Sequence, residues 1–138
     1  MQYFELNEKN LKQAWGASCE RWFSLKDYTI SDVIDLINYD NAQSDDESTD
    51  EYLMNKGYIP YFAVSNEEVM YSFIQTLENK KLKAVFDKVS ADDYTETFWK
   101  YYKLYPELSE GFHNFENQYL LDKAIKWCEL NNIEYKVV

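Results

Sequence analysis

Apolar residues recur at helical spacing through the second half of the chain. Val69, Met70, Phe73, Ile74 and Leu77 fall on one stripe of a helix. Ser65 and Glu68 before them form a capping box, each side chain satisfying a free amide at the helix start. Asn79 is read as the stop of this helix. A second short helix carries Leu82, Val85, Phe86 and Val89. Ser90, followed by Asp92 and Asp93, suits a third helix N-terminus. That helix puts Tyr94, Phe98, Tyr101, Tyr102 and Tyr105 on one side and ends near Pro106. The clearest amphipathic segment runs from Leu120 to Glu129. At about 100° per residue, Leu120, Leu121, Ala124, Ile125, Trp127 and Cys128 share one side, opposite Asp122, Lys123, Lys126 and Glu129. Asn131-Asn132 ends it, and Ile133 to Val138 alternates like a strand.

The first half is less regular. Leu6, Leu11, Trp15, Trp22 and Phe23 suggest a helix from about Asn7, weakened by Gly16. Ser31 is placed as the cap of a short helix with Val33, Ile34, Leu36 and Ile37. Tyr58 to Val64 is read as extended, with Pro60 demoting it to an edge strand or loop, and the C-terminal segment is its candidate partner. These patterns predict a mainly α chain of the α+β class, with a minor sheet from short strands near 58–64 and 133–138. A single domain over 1–138 is expected at this length.

Composition adds a core. The chain has 138 residues, with 4 Trp, 13 Tyr and 8 Phe. Its mean hydropathy of −0.62 is low, yet disordered chains are poor in such aromatics. With 3 Gly and 2 Pro, a turn-rich sandwich is disfavoured.

Charge narrows the partners. The formal net charge is −11 with a pI near 4.5, and Arg21 is the only arginine. Direct nucleic-acid binding is not expected, because it depends on Lys and Arg displacing counterions. An anionic membrane surface repels such a chain, and no apolar run approaches a bilayer span. Residues 1–69 hold 14 acids and 5 bases, against 11 and 9 in residues 70–138. The densest stretch is an acidic loop at about 40–51, with Asp40, Asp45, Asp46, Glu47, Asp50 and Glu51 and no base. Cys19 and Cys128 cannot build a disulfide framework, and the N-terminus has neither a basic start nor an apolar h-region, so a cytoplasmic protein with reduced thiols is expected.

Several chemistries lack their residues. Gly16, Gly57 and Gly111 are too far apart for a phosphate loop or dinucleotide fingerprint. One His and two separated Cys do not make a structural zinc site. No cofactor is expected. His113 is placed at the start of the last helix beside Phe112 and Phe115, and Cys128 on an apolar face reads as an inert thiol. The 45–51 stretch lacks the spacing and turn glycine of a calcium loop. The tyrosine run, although Lys100 and Lys103 interleave it, reads as a core stripe before a stacking platform.

The second half resembles an uncharacterised family of small bacterial proteins. The resemblance rests on Tyr58-Ile59-Pro60, Glu67-Glu68-Val69-Met70, Phe73-Ile74-x-x-Leu77-Glu78-Asn79 and Leu82-Lys83. It continues in Phe112-His113-x-Phe115-Glu116-x-x-x-Leu120, Ala124-Ile125-x-Trp127-Cys128 and Asn132-Ile133-Glu134-Tyr135. It covers about residues 58–138 and implies a bacterial cytoplasmic protein without supplying a catalytic residue. Similar proteins have a glycine-containing, arginine-rich stretch where this chain has Ser90 to Trp99 with neither, so no anion-binding role carries over.

The expectation is therefore a non-enzymatic acidic binding or regulatory protein that meets a basic protein partner through Asp45, Asp46, Glu47, Asp50 and Glu51. The alternative is a carboxylate-based or divalent-cation-dependent enzyme or ligand-binding domain, which needs acids to converge in a pocket.

Overall fold

The computed structural model describes residues 2–16, 20–34, 36 and 49–138. In chain order the elements are β1 (Phe4–Leu6), α1 (Glu8–Lys12), β2 (Arg21–Ser24), β3 (Ile30–Asp32), α2 (Thr49–Asn55), β4 (Tyr58–Pro60), α3 (Asn66–Thr76), α4 (Lys80–Asp87), a 3-10 turn at Ala91–Asp93, α5 (Tyr94–Tyr102), α6 (Pro106–Leu130) and β5 (Tyr135–Val137). The fold is mainly α with short strands, as the periodicity predicts. No helix among the described residues is long and apolar enough to cross a membrane. The chain forms two compact units, one from Met1–Ala63 and Leu121–Val138, the other from Val64–Leu120.

The first unit holds the strands. β1 buries Phe4 and Leu6 and exposes Glu5, and it pairs in parallel with β5, Phe4 opposite Tyr135. A second sheet has the order β3-β2-β4, antiparallel throughout. The strand at Tyr58 thus pairs with β2, and not with the C-terminal segment as the sequence suggested. β2 explains why. Adjacent Trp22 and Phe23 are both fully buried, which requires cover on both faces of a strand. Trp22 packs with Tyr52 and Leu53 of α2. Phe23 meets the Phe4 ring at 4.9 Å and Trp127 at 5.1 Å. Such a strand takes partners on both edges.

The helix expected from Asn7 to Phe23 is corrected by the same feature. Asn7 does cap it, its side chain accepting from Asn10 N at 2.8 Å, but α1 stops at Lys12. The chain then turns through Gly16, whose φ of +140° suits glycine. Ser31 lies in β3 opposite Trp22 and so is not a helix cap, although Val33, Ile34 and Leu36 are helical. Ile37 lies outside the described residues.

In the second unit the capping box forms as predicted. Ser65 Oγ accepts from Glu68 N at 3.1 Å, and Glu68 Oε1 accepts from Ser65 N at 2.8 Å. α3 then buries Val69, Met70, Phe73 and Ile74. Asn79 does not end it. Its Oδ1 accepts from Leu82 N at 3.1 Å and so starts α4, which buries Leu82 and Phe86. Pro106, expected to close a helix, opens α6, where its missing N–H costs nothing.

α6 also absorbs Gly111. A Cβ built there would lie 3.4 Å from Phe73 Cζ, an ordinary van der Waals contact, so the packing has room for a methyl and the glycine costs about 1 kcal/mol relative to alanine within a helix. From Leu121 onward α6 belongs to the first unit. It ends in a Schellman arrangement: Asn132 adopts φ +57°, and Ile133 N donates to Cys128 O at 2.9 Å.

Candidate functional site

The acidic stretch is positioned by the helix that ends it. Tyr52 and Leu53 are buried against Trp22, which leaves Asp50 and Glu51 exposed in the first turn of α2. These two residues are therefore helical, where a loop was expected. Carboxylates there favour the helix dipole. Lys56 lies over the Tyr52 ring at 5.7 Å. Asp40, Asp45, Asp46 and Glu47 lie outside the described residues. Among the described residues, no group of three or more His, Cys, Asp or Glu side chains could hold a metal ion.

The candidate nucleophile and base take unactivated positions. Cys128 is fully buried, and burial together with neighbouring Glu129 pushes its thiol up to about 11. A protonated thiol is a poor nucleophile. The sign of the linkage follows: the folded state retains this proton to higher pH than the unfolded chain does. Its contribution is complete below the ordinary thiol value and is lost as pH rises toward 11. Cys128 should consequently resist iodoacetamide at pH 8 in the native protein and react in urea, as mapped by peptide mass spectrometry. Rapid native labelling at Cys128 would contradict the burial. His113 sits exposed well inside α6, not at its start, because Pro106 begins the helix earlier. Its Nε2 is 3.5 Å from the Tyr102 hydroxyl.

α5 divides its aromatics between core and surface. Tyr94 and Phe98 are buried, while Tyr101 and Tyr102, with Tyr105 just beyond the helix, are half-buried. Burial, Tyr71 and Asp87 push the Tyr94 hydroxyl up to about 12. The exposed aromatic is Trp99, at 41 %, outside the predicted stripe. With Glu96, Lys100, Lys103 and Leu104 it lines a shallow recess of about 600 Å³. The signal for it was present in Trp99-Lys100, one position off the core stripe.

A more enclosed feature was not legible from the sequence. Lys9 and Asn10 of α1, Gln13 just after it and residues Tyr28 to Asp32 line a cleft of about 380 Å³. Its walls are tied by Arg21. Nη1 donates to the Gln13 carbonyl at 2.8 Å and the Trp15 carbonyl at 2.7 Å, while Nε lies 3.3 Å from Asp32 Oδ1. Asn10 is pinned as well: its side-chain amide donates to Glu5 O at 2.7 Å, and its main-chain carbonyl accepts from the Tyr61 hydroxyl at 2.7 Å. Tyr28 closes the hairpin at φ +57°, a left-handed conformation that costs a non-glycine residue about 1 kcal/mol. Its ring packs on Phe23 at 5.3 Å.

No family model, curated protein or solved structure matches this chain.

Proposed function

We propose that the protein is a non-enzymatic acidic binding or regulatory protein that engages a basic protein partner through Asp45, Asp46, Glu47, Asp50 and Glu51. The observation that carries this is the concentration of six acids without a base between Asp40 and Glu51. Its end, Asp50 and Glu51, stands exposed on a helix anchored from below by Tyr52 and Leu53. Charge so concentrated speeds and selects encounters with an opposite surface. With this goes the placement of the chain among small bacterial cytoplasmic proteins, on the resemblance of residues 58–138.

The test neutralises the segment by Asp45→Asn, Asp46→Asn, Glu47→Gln, Asp50→Asn and Glu51→Gln together. A control variant removes the same charge elsewhere, by Glu67→Gln, Asp87→Asn, Asp92→Asn, Glu110→Gln and Glu134→Gln. Immobilised native protein should retain a basic protein from bacterial lysate at about 50 mM salt and release it at about 0.5 M, as screening requires. The segment variant should lose that protein and the control should keep it. Equal retention by both variants would remove the proposal. A calcium-dependent rise in melting temperature, abolished by the segment variant alone, would favour a cation site instead.

A further inference from the structure

The cleft between α1 and the β2–β3 hairpin is chemically distinct from the acidic segment. We infer that it binds a neutral polyhydroxylated ligand of the mono- or disaccharide class. Its lining mixes groups that donate, groups that accept and groups that do both. The Gln13 amide offers both kinds of atom, the Asn10 amide, already donating to Glu5 O, adds an acceptor, and the hydroxyls of Thr29 and Ser31 serve either role. Sugar hydroxyls, which are donor and acceptor at once, match such a mixture.

Charge disfavours the other small-ligand classes. An anion would find Lys9, yet it would also face the Asp32 carboxylate and a protein of net charge −11. A cation would find Asp32 already engaged by Arg21 at 3.3 Å and Lys9 nearby. A neutral ligand meets no such opposition. The volume of about 380 Å³ falls in the range of small-molecule sites, roughly 300–1,000 Å³.

Preorganisation supports the same assignment. Arg21 fixes the α1 side and the β3 side to each other, Asn10 is held from two directions, and Tyr28 keeps a left-handed backbone at the rim. Strain of this kind persists where the surroundings enforce it, and such positions gather at ligand sites. Binding then requires little ordering of the walls.

The experiment titrates the full chain with glucose, N-acetylglucosamine and maltose to about 50 mM, following backbone amides by ¹H–¹⁵N NMR, at the millimolar affinities ordinary for ligands this small. Shifts should centre on Lys9, Asn10, Gln13 and Ser31, and a stronger response to maltose than to glucose would assign an oligosaccharide end over a free monosaccharide. Gln13→Ala and Ser31→Ala should each weaken binding about fivefold or more without moving the melting temperature by more than about two degrees. Phosphate and acetate serve as anionic probes. The proposal is overturned if no sugar shifts these amides, if the anions shift them as strongly, or if neither variant weakens binding. Neutralising the 45–51 acids should leave sugar binding intact, so the two proposals fail independently.

Discussion

Replacing Trp127 by alanine is expected to remove about 3–5 kcal/mol of stability, the range for deleting a large buried aromatic. Few residues of the first unit gather as many partners. The indole meets the rings of Phe23 at 5.1 Å, Tyr61 at 5.0 Å, and Phe4 and Phe62 at 6.2 Å each. Its Nε1 also donates to the Pro60 carbonyl at 3.0 Å. Alanine would leave a void among rings supplied by β1, β2 and the segment after β4, and an acceptor that loses its donor. Trp127→Phe separates the two contributions. It keeps a ring and deletes the hydrogen bond, so the loss should fall to about 1–3 kcal/mol. Urea denaturation followed by circular dichroism measures both. A loss below 1 kcal/mol for the alanine variant would be incompatible with this packing. Since a domain has only about 5–15 kcal/mol in hand, the alanine variant should also express less well.

The second large effect contrasts two neighbours on α5. Phe98→Ala should cost about 3–5 kcal/mol, while Trp99→Ala, which removes a ring only partly buried, should cost clearly less, about 1–2 kcal/mol. Phe98 is 0 % exposed and touches Phe112 at 4.7 Å, Phe86 at 6.3 Å and Phe73 at 6.5 Å, so α3, α4, α5 and α6 all converge on it. Trp99 meets Tyr102 at 5.1 Å, Phe98 at 5.4 Å and Phe112 at 6.0 Å but remains 41 % exposed. Equal losses would mean that Trp99 is as much a part of the core as Phe98. Thermal melts of the two variants side by side decide it.

The elements legible in the sequence are those whose signal is local. Ser65 and Glu68 lie three positions apart and satisfy each other, so the start of α3 needed no tertiary information. The stripe of Val69, Met70, Phe73 and Ile74 repeats within one helix. Asn131-Asn132 ended α6 through a backbone preference of Asn itself. What failed was decided by distant residues or by punctuation with two meanings. Pro106 can follow one helix or open the next, and Asn79 can stop one or cap another. Trp22 and Phe23 fit a helical stripe as well as a strand until Leu53 and Trp127 are known to cover opposite faces. Strand partners could not be read at all, since β2 is paired on both edges by segments far away. The α1–hairpin cleft was hidden for the same reason. Lys9 and Ser31 are ordinary surface residues in the sequence, and Arg21, reaching back to Gln13 and forward to Asp32, ties their walls together.

The parallel pairing of β1 with β5 has a consequence for how the molecule is made. Phe4 and its strand partner Tyr135 lie at opposite ends of the two-unit stretch, separated by nearly all the residues described. The residues of α3, α4 and α5 emerge as a continuous block, so the rings around Phe98 can assemble once the first turns of α6 are out. The strand of Phe4 and Leu6, two side chains that end fully covered, has no ladder until the residues of β5 are present. Closing so long a loop is entropically costly and slow. Until that closure an apolar edge has no complement, and Glu5 and Glu8 place beside it the kind of charge that disfavours edge-to-edge pairing.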